Sequence, residues 1–101
     1  KAIKAVAAKC HNLTHLDLAH CMRLTDDALG WLAESGSNLI KLDLFNTQCQ
    51  DKTALKFVMN HHHLRYISFS RCNALTSGGI TACFKHMKEV EFLSLRENAM
   101  R

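Results

Sequence analysis

"LTHLDLAHC", residues Leu13 to Cys21, carries leucine at its first, fourth and sixth places and closes on cysteine at the ninth. A helix repeats near 3.6 residues and a half-buried strand repeats at two, so the Leu16–Leu18 pair fits a strand. The pattern recurs. "LIKLDLFNT" begins at Leu39, "LRYISFSRC" at Leu64 and "VEFLSLREN" at Val90, which spaces the leading residues 26, 25 and 26 apart. Self-similarity at a nearly fixed period of this length marks a chain built from stacked units.

The second half of each unit also lines up. Twelve residues after the first three leading positions stand Thr25, Asp51 and Thr76, all side chains suited to cap a helix start. Four places further come Leu29, Leu55 and Ile80, and three beyond those Leu32, Val58 and Cys83. That is an apolar i, i+3 face. Each unit therefore reads as a short strand, a turn, a capped helix and a returning loop.

The stretch "CHNLTHLDLAHCMRLTDDALGWLAE" and its neighbours resemble the leucine-rich repeat, in its cysteine-containing subtype. The likeness lies in C-x-x-L-x-x-L-x-L-x-x-C, followed by x-x-L/I-T-D and a helix, and covers essentially the whole chain. Departures are local: Thr47 and Asn98 stand at the ninth position in two copies, and Val90 leads the last. The resemblance implies an α/β fold, a right-handed leucine-rich repeat solenoid or horseshoe. It would have a parallel sheet of about four short strands and helices on the convex side. The expected bounds are a partial repeat over 1–12, repeats over 13–38, 39–63 and 64–89, and a partial repeat over 90–101. Leu13, Leu16, Leu18, Leu39, Leu42, Leu44, Leu64, Ile67, Phe69, Val90, Leu93 and Leu95 are the expected core. The ninth-position side chain is expected to turn inward and satisfy backbone groups of the loop. Ile3 and Val6 fall on helix positions of a unit without its strand, and "LRENAMR" follows a strand without its helix. Neither end shows a polar cap, so the expectation is a piece of a longer array.

Composition limits the function classes. The 101 residues are 48% apolar, carry a net charge of +4 and include no proline. No apolar run reaches membrane-spanning length and no secretory signal is visible in these residues, so neither membrane insertion nor nucleic-acid binding is expected. Five cysteines in such a chain read as reduced thiols. That places the protein inside the cell, in the cytoplasm first, with cilium or mitochondrion as alternatives. Histidine and cysteine invite a metal reading at His61–His63, Cys10-His11, His20-Cys21 and Cys83 with His86. No ligand spacing such as C-x-x-C or H-E-x-x-H supports it, and His61–His63 reads instead as a helix end and loop. No cofactor, metal or catalytic residue is expected. The neighbouring Asp17 and Asp43, beside His15 and Lys41, read as a solvated charge cluster, and the glycines of "TSGGI" as a helix start.

What remains is surface. Strand alternation sends the side chains between the core residues to the concave face: His15, Asp17 and Ala19; Lys41, Asp43 and Phe45; Tyr66, Ser68 and Ser70; Phe92, Ser94 and Arg96. His20, Asn46, Arg71 and Glu97 follow on the rim. Aromatic residues beside arginine and aspartate have the composition of a binding hot spot. The partner-binding candidates are His15, Asp17, Lys41, Asp43, Phe45, Tyr66, Ser68, Arg71, Phe92 and Arg96. Trp31 and Phe57, one place before Leu32 and Val58, are a second candidate patch, read either as a pair packed at the core edge or as an exposed docking ridge. The expected function is a protein–protein interaction scaffold. The resemblance extends to the repeats of F-box proteins, which select substrates for a ubiquitin ligase. The competing expectation is a structural subunit of a large assembly, an axoneme or a mitochondrial complex, held through its concave and helix faces.

Overall fold

The structure, a computed structural model, describes residues 12–36 and 38–96. The expectations for Ile3, Val6, Cys10, His11, Glu97 and Asn98 lie outside the described residues. Strands β1 (His15–Asp17), β2 (Lys41–Asp43), β3 (Tyr66–Ser68) and β4 (Phe92–Ser94) alternate with helices α1 (Asp26–Glu34), α2 (Asp51–Asn60) and α3 (Ser77–Phe84). A parallel pair needs a crossover, and each helix supplies one between neighbouring strands. The sheet is all parallel in the order β1-β2-β3-β4. Its register puts Leu16, Leu42, Ile67 and Leu93 in one row pointing at the helices.

The backbone ladder outlasts the short strands. His20, Asn46 and Arg71 donate their N–H groups to the carbonyls of Phe45, Ser70 and Arg96 at 2.7, 2.8 and 3.1 Å. All three sit in the left-handed region, with φ of 65°, 58° and 58°. This conformation turns the chain off the sheet. Histidine and asparagine tolerate it better than most residues, while an arginine there costs roughly 1–2 kcal/mol. At the ninth position Thr47 and Cys72 face inward as expected, the hydroxyl and the thiol both donating to the Leu44 carbonyl at 2.9 Å, while Cys21 is half-buried.

The core lies between this sheet and the inner faces of the helices. Leu42, Leu44, Ile67 and Phe69 meet Leu29, Leu32, Ala54, Phe57, Val58, Ile80 and Cys83 there. Leu13, Leu16, Leu18, Val90, Leu93 and Leu95 pack against it only partly buried. They lie in or beside β1 and β4, which among the described residues have a neighbouring strand on one side only.

The second unit corrects the expected helix register. Two residues separate Cys21 from Leu24 and Cys72 from Leu75, but only Gln48 separates Thr47 from Cys49. Leu24 packs against the core, while Cys49 and Leu75 are buried in it. The residue missing from the 25-residue spacing is therefore lost in the turn between strand and helix, and α2 starts one place earlier than expected. Thr25 and Thr76 do cap their helices, accepting from the N–H groups of Ala28 and Gly79. The cap of α2 is Gln50, which makes no side-chain capping bond, and Asp51 becomes the first helical residue.

The aspartates of the first turns work between helices instead. Asp26 accepts from the Gln50 N–H at 2.8 Å and from the Thr53 hydroxyl at 3.0 Å. Asp51 accepts from the N–H and hydroxyl of Thr76 at 2.8 and 2.6 Å. Each carboxylate thus satisfies an unpaired donor at the start of the following helix and favours its positive dipole end.

Candidate functional site

The three helices pack on one side of the sheet, and alternation sends the intervening strand residues to the other. Three rows cross that open face. The first is His15, Lys41, Tyr66 and Phe92. Parallel strands bring these side chains close enough to stack. The Lys41 ammonium lies 4.8 Å from the Tyr66 ring centroid, and the Tyr66 and Phe92 rings stack at 4.7 Å with 8° between their planes. Phe92 remains 50% exposed.

The second row is Asp17, Asp43, Ser68 and Ser94. Each aspartate uses Oδ1 to accept from the backbone two residues on, Ala19 N–H and Phe45 N–H, at 3.0 Å in both cases. These local turns fix one oxygen of each carboxylate, and no described residue hydrogen-bonds the other. Ser68 departs from expectation: on the open face, it is only 4% exposed, because larger neighbours stand around it. No described residue hydrogen-bonds its hydroxyl.

The third row continues past the strand ends with Phe45, Ser70 and Arg96. The Ser70 and Ser94 hydroxyls bond at 2.5 Å, and Ser70 Oγ accepts from the Arg96 N–H at 3.1 Å. Phe45 meets the His20 ring edge to face at 4.8 Å. Small serines between large aromatic residues leave a hollow of about 370 Å³, lined by Asp43, Phe45, Tyr66, Ser68, Ser70, Phe92, Ser94 and Arg96.

Six of the ten partner-binding candidates therefore converge on one concavity. Lys41 stands beside it as the cap of the aromatic stack. His15 and Asp17 lie on the edge strand outside it, and Arg71 lines a separate notch with Met22, Asn46 and Gln48 on the loop side. Ser70 and Ser94 complete the floor. Their positions on the strands were the signal, and their part in a hollow depends on the bulk of the residues around them.

The second candidate patch does not hold as a pair. Phe57 is 0% exposed and contributes nothing to a surface. The one-residue shift of α2 places it in line with Leu32, while Lys56 matches Trp31. Trp31 itself is half-buried in a notch of about 280 Å³ with Asp27, Glu34, Lys52 and Lys56. Lys56 pairs with Glu34 at 2.9 Å across it.

The buried thiols and His61 serve the interior, and His15, His20, His62 and His63 lie at the surface. Burial pushes the Cys49, Cys72 and Cys83 thiols above their ordinary range, Cys83 to about 11. Such thiols stay protonated and donate hydrogen bonds, as Cys72 does. His61 is buried: its Nδ1 accepts from the Leu39 N–H at 3.2 Å, and its Nε2 lies 3.1 Å from the Ala33 carbonyl. That pattern needs a neutral ring with the proton on Nε2, and burial lowers its affinity for a second proton. His62 and His63 are exposed, His63 within 3.0 Å of Glu89. Among the described residues, no three His, Cys, Asp or Glu side chains group as for a metal, and no helix is long and apolar enough to cross a membrane. Compared with models of known protein families, the chain matches none.

Proposed function

We propose that the chain is a leucine-rich repeat module that binds a protein partner on the open face of its sheet and catalyses no reaction of its own. The carrying observation is the Lys41–Tyr66–Phe92 stack beside a hollow with polar groups on its floor and a half-exposed aromatic ring at its rim. Rigid aromatic side chains on a regular scaffold lose little entropy on binding and supply most of the energy of a typical interface. The 26, 25 and 26 spacing, the sequential parallel sheet and the inward-facing Thr47 and Cys72 support the repeat assignment. Substrate selection for an F-box-type ubiquitin ligase is the form of this reading that the sequence resemblance favours.

One observation bears on the structural-subunit reading. Phe84 is 51% exposed at the helix place where Ala33 and Val58 are buried in α1 and α2. A permanent neighbour alongside α3 would cover it, and so would the helix of a further repeat.

The test is capture of partners by three forms of the chain: unaltered, Phe45/Tyr66/Phe92→Ala, and Phe84→Ser. Loss of one saturable partner only in the triple variant, with its thermal melt retained, is the expected result. Loss of a stoichiometric partner only in the Phe84 variant would replace this reading with the structural one.

A further inference from the structure

We propose that the hollow accepts a peptide segment in which an aromatic side chain neighbours a carboxylate, an inference that rests on the partner-binding reading above. The volume of about 370 Å³ has room for one or two side chains. Its walls are rings, Phe45 just past the end of β2 and the Tyr66–Phe92 stack on β3 and β4. A flat guest can lie against either in the offset or edge-on arrangements that aromatic pairs prefer.

The polar groups decide what the ring must carry. Ser68 places a hydroxyl in the floor that is more than nine-tenths buried and has no partner among the described residues. A buried hydroxyl without a bond is unfavourable, so a guest bearing a phenol or a peptide group gains by meeting it. Asp43 already holds the Phe45 N–H with one oxygen, leaving the other to accept from such a guest.

Charge selects the neighbouring group. Arg96 lines the hollow with its side chain in no hydrogen bond or ion pair to any described residue, and its guanidinium suits two-pronged recognition of a carboxylate. A cationic guest is disfavoured for a separate reason. Lys41 already occupies one face of the Tyr66–Phe92 stack, so a second cation on those rings would be repelled by Lys41 and by Arg96 together. Asp43 alone opposes them at the hollow.

The experiment is an NMR titration of the 101-residue chain with three blocked tetrapeptides at millimolar concentration. The first is glycine-tyrosine-glutamate-glycine; the second replaces glutamate by lysine, and the third replaces tyrosine by alanine. The expected result is saturable movement of the Ser68, Ser70 and Arg96 amide signals with the first, and binding weaker by about fivefold with each of the others. Arg96→Gln should abolish the glutamate preference and keep the tyrosine one, and Ser68→Ala should weaken the first peptide alone of the pair differing at tyrosine. Equal binding of glutamate and lysine forms, a lysine preference, or no movement at these amides overturns the proposal. If no peptide moves them while the aromatic triple variant still loses its partner, this inference fails and the broader one stands. Peptide binding at the hollow with partner capture intact in the triple variant would overturn the broader reading instead.

Discussion

The second and third units begin their helices differently although their strands pair in register. In the third, a full-length turn delivers Thr76 to the cap position, where its hydroxyl accepts from Gly79 N–H at 3.1 Å. In the second, a turn one residue shorter delivers Gln50, whose side chain caps nothing. The shorter turn replaces a buried leucine by Cys49, advances α2 by one place and rotates Phe57 into the core. Strand register and helix register are thus separable. The sheet is held by its ladder and by paired core rows, while the helix follows the length of the turn before it.

The largest expected effect tests that rotation. Phe57→Ala should cost about 3–5 kcal/mol, the usual consequence of emptying a large aromatic site in a core. Trp31→Ala, which the sequence spacing puts at the same place, should cost less than half as much in the same urea titration. Equal losses would restore the pairing of the two residues.

The junction between α2 and α3 comes next. Asp51→Ala removes both bonds to Thr76 and should lower stability by about 1–2 kcal/mol. Gly79→Ala is the sharper variant. Alanine in a helix ordinarily gains about 1 kcal/mol over glycine, yet a Cβ at this position would collide with the Asp51 carboxyl group. Chemical denaturation should therefore show a loss, and a gain would mean that Asp51 moves aside freely.

His61 belongs to the second unit alone, since Gly36 and Met87 stand at the matching helix ends. Its folded form resists protonation, so the unfolded chain takes up the proton first. Its stabilising share is complete above the ordinary value of 6.5 and falls as the pH drops below it. Urea midpoints at pH 7.5, 6.5 and 5.5 should decline more steeply for the unaltered chain than for His61→Gln. Parallel declines would remove His61 from the account. The smallest effect is repair of the missing cap: Gln50→Ser should raise stability by about 0.5–1 kcal/mol, read as a shift in melting temperature.

Sequence alone reveals the strand half of each unit because a two-residue alternation leaves one register that buries the leucines. Leu16, Leu42, Ile67 and Leu93 had no second place to go. The helix half is less determined in "DKTALKFVMN". With Leu55, Phe57 and Val58 all apolar, two registers bury a comparable face, and only the length of the turn chooses between them. The open face was legible as a set of positions. The hollow within it was not, because it arises from the bulk of Phe45, Tyr66 and Phe92 around serines that contribute little volume. Likewise Asp26 and Asp51 read as acids at helix starts, but their partners lie in the next helix and depend on packing.

Those two aspartates also give the molecule a polarity. Both links run from an earlier helix to the start of the following one, and neither runs back. Opening α1 would release Asp26 from Gln50 and Thr53 and leave α2 without a substitute for its absent cap. Opening α3 would free Asp51 into water while the hydrogen bonds inside α2 stayed closed. Fraying should therefore travel more readily from α1 towards α3 than in reverse, an asymmetry that hydrogen–deuterium exchange would register as earlier labelling of the α2 amides when α1 is weakened than when α3 is.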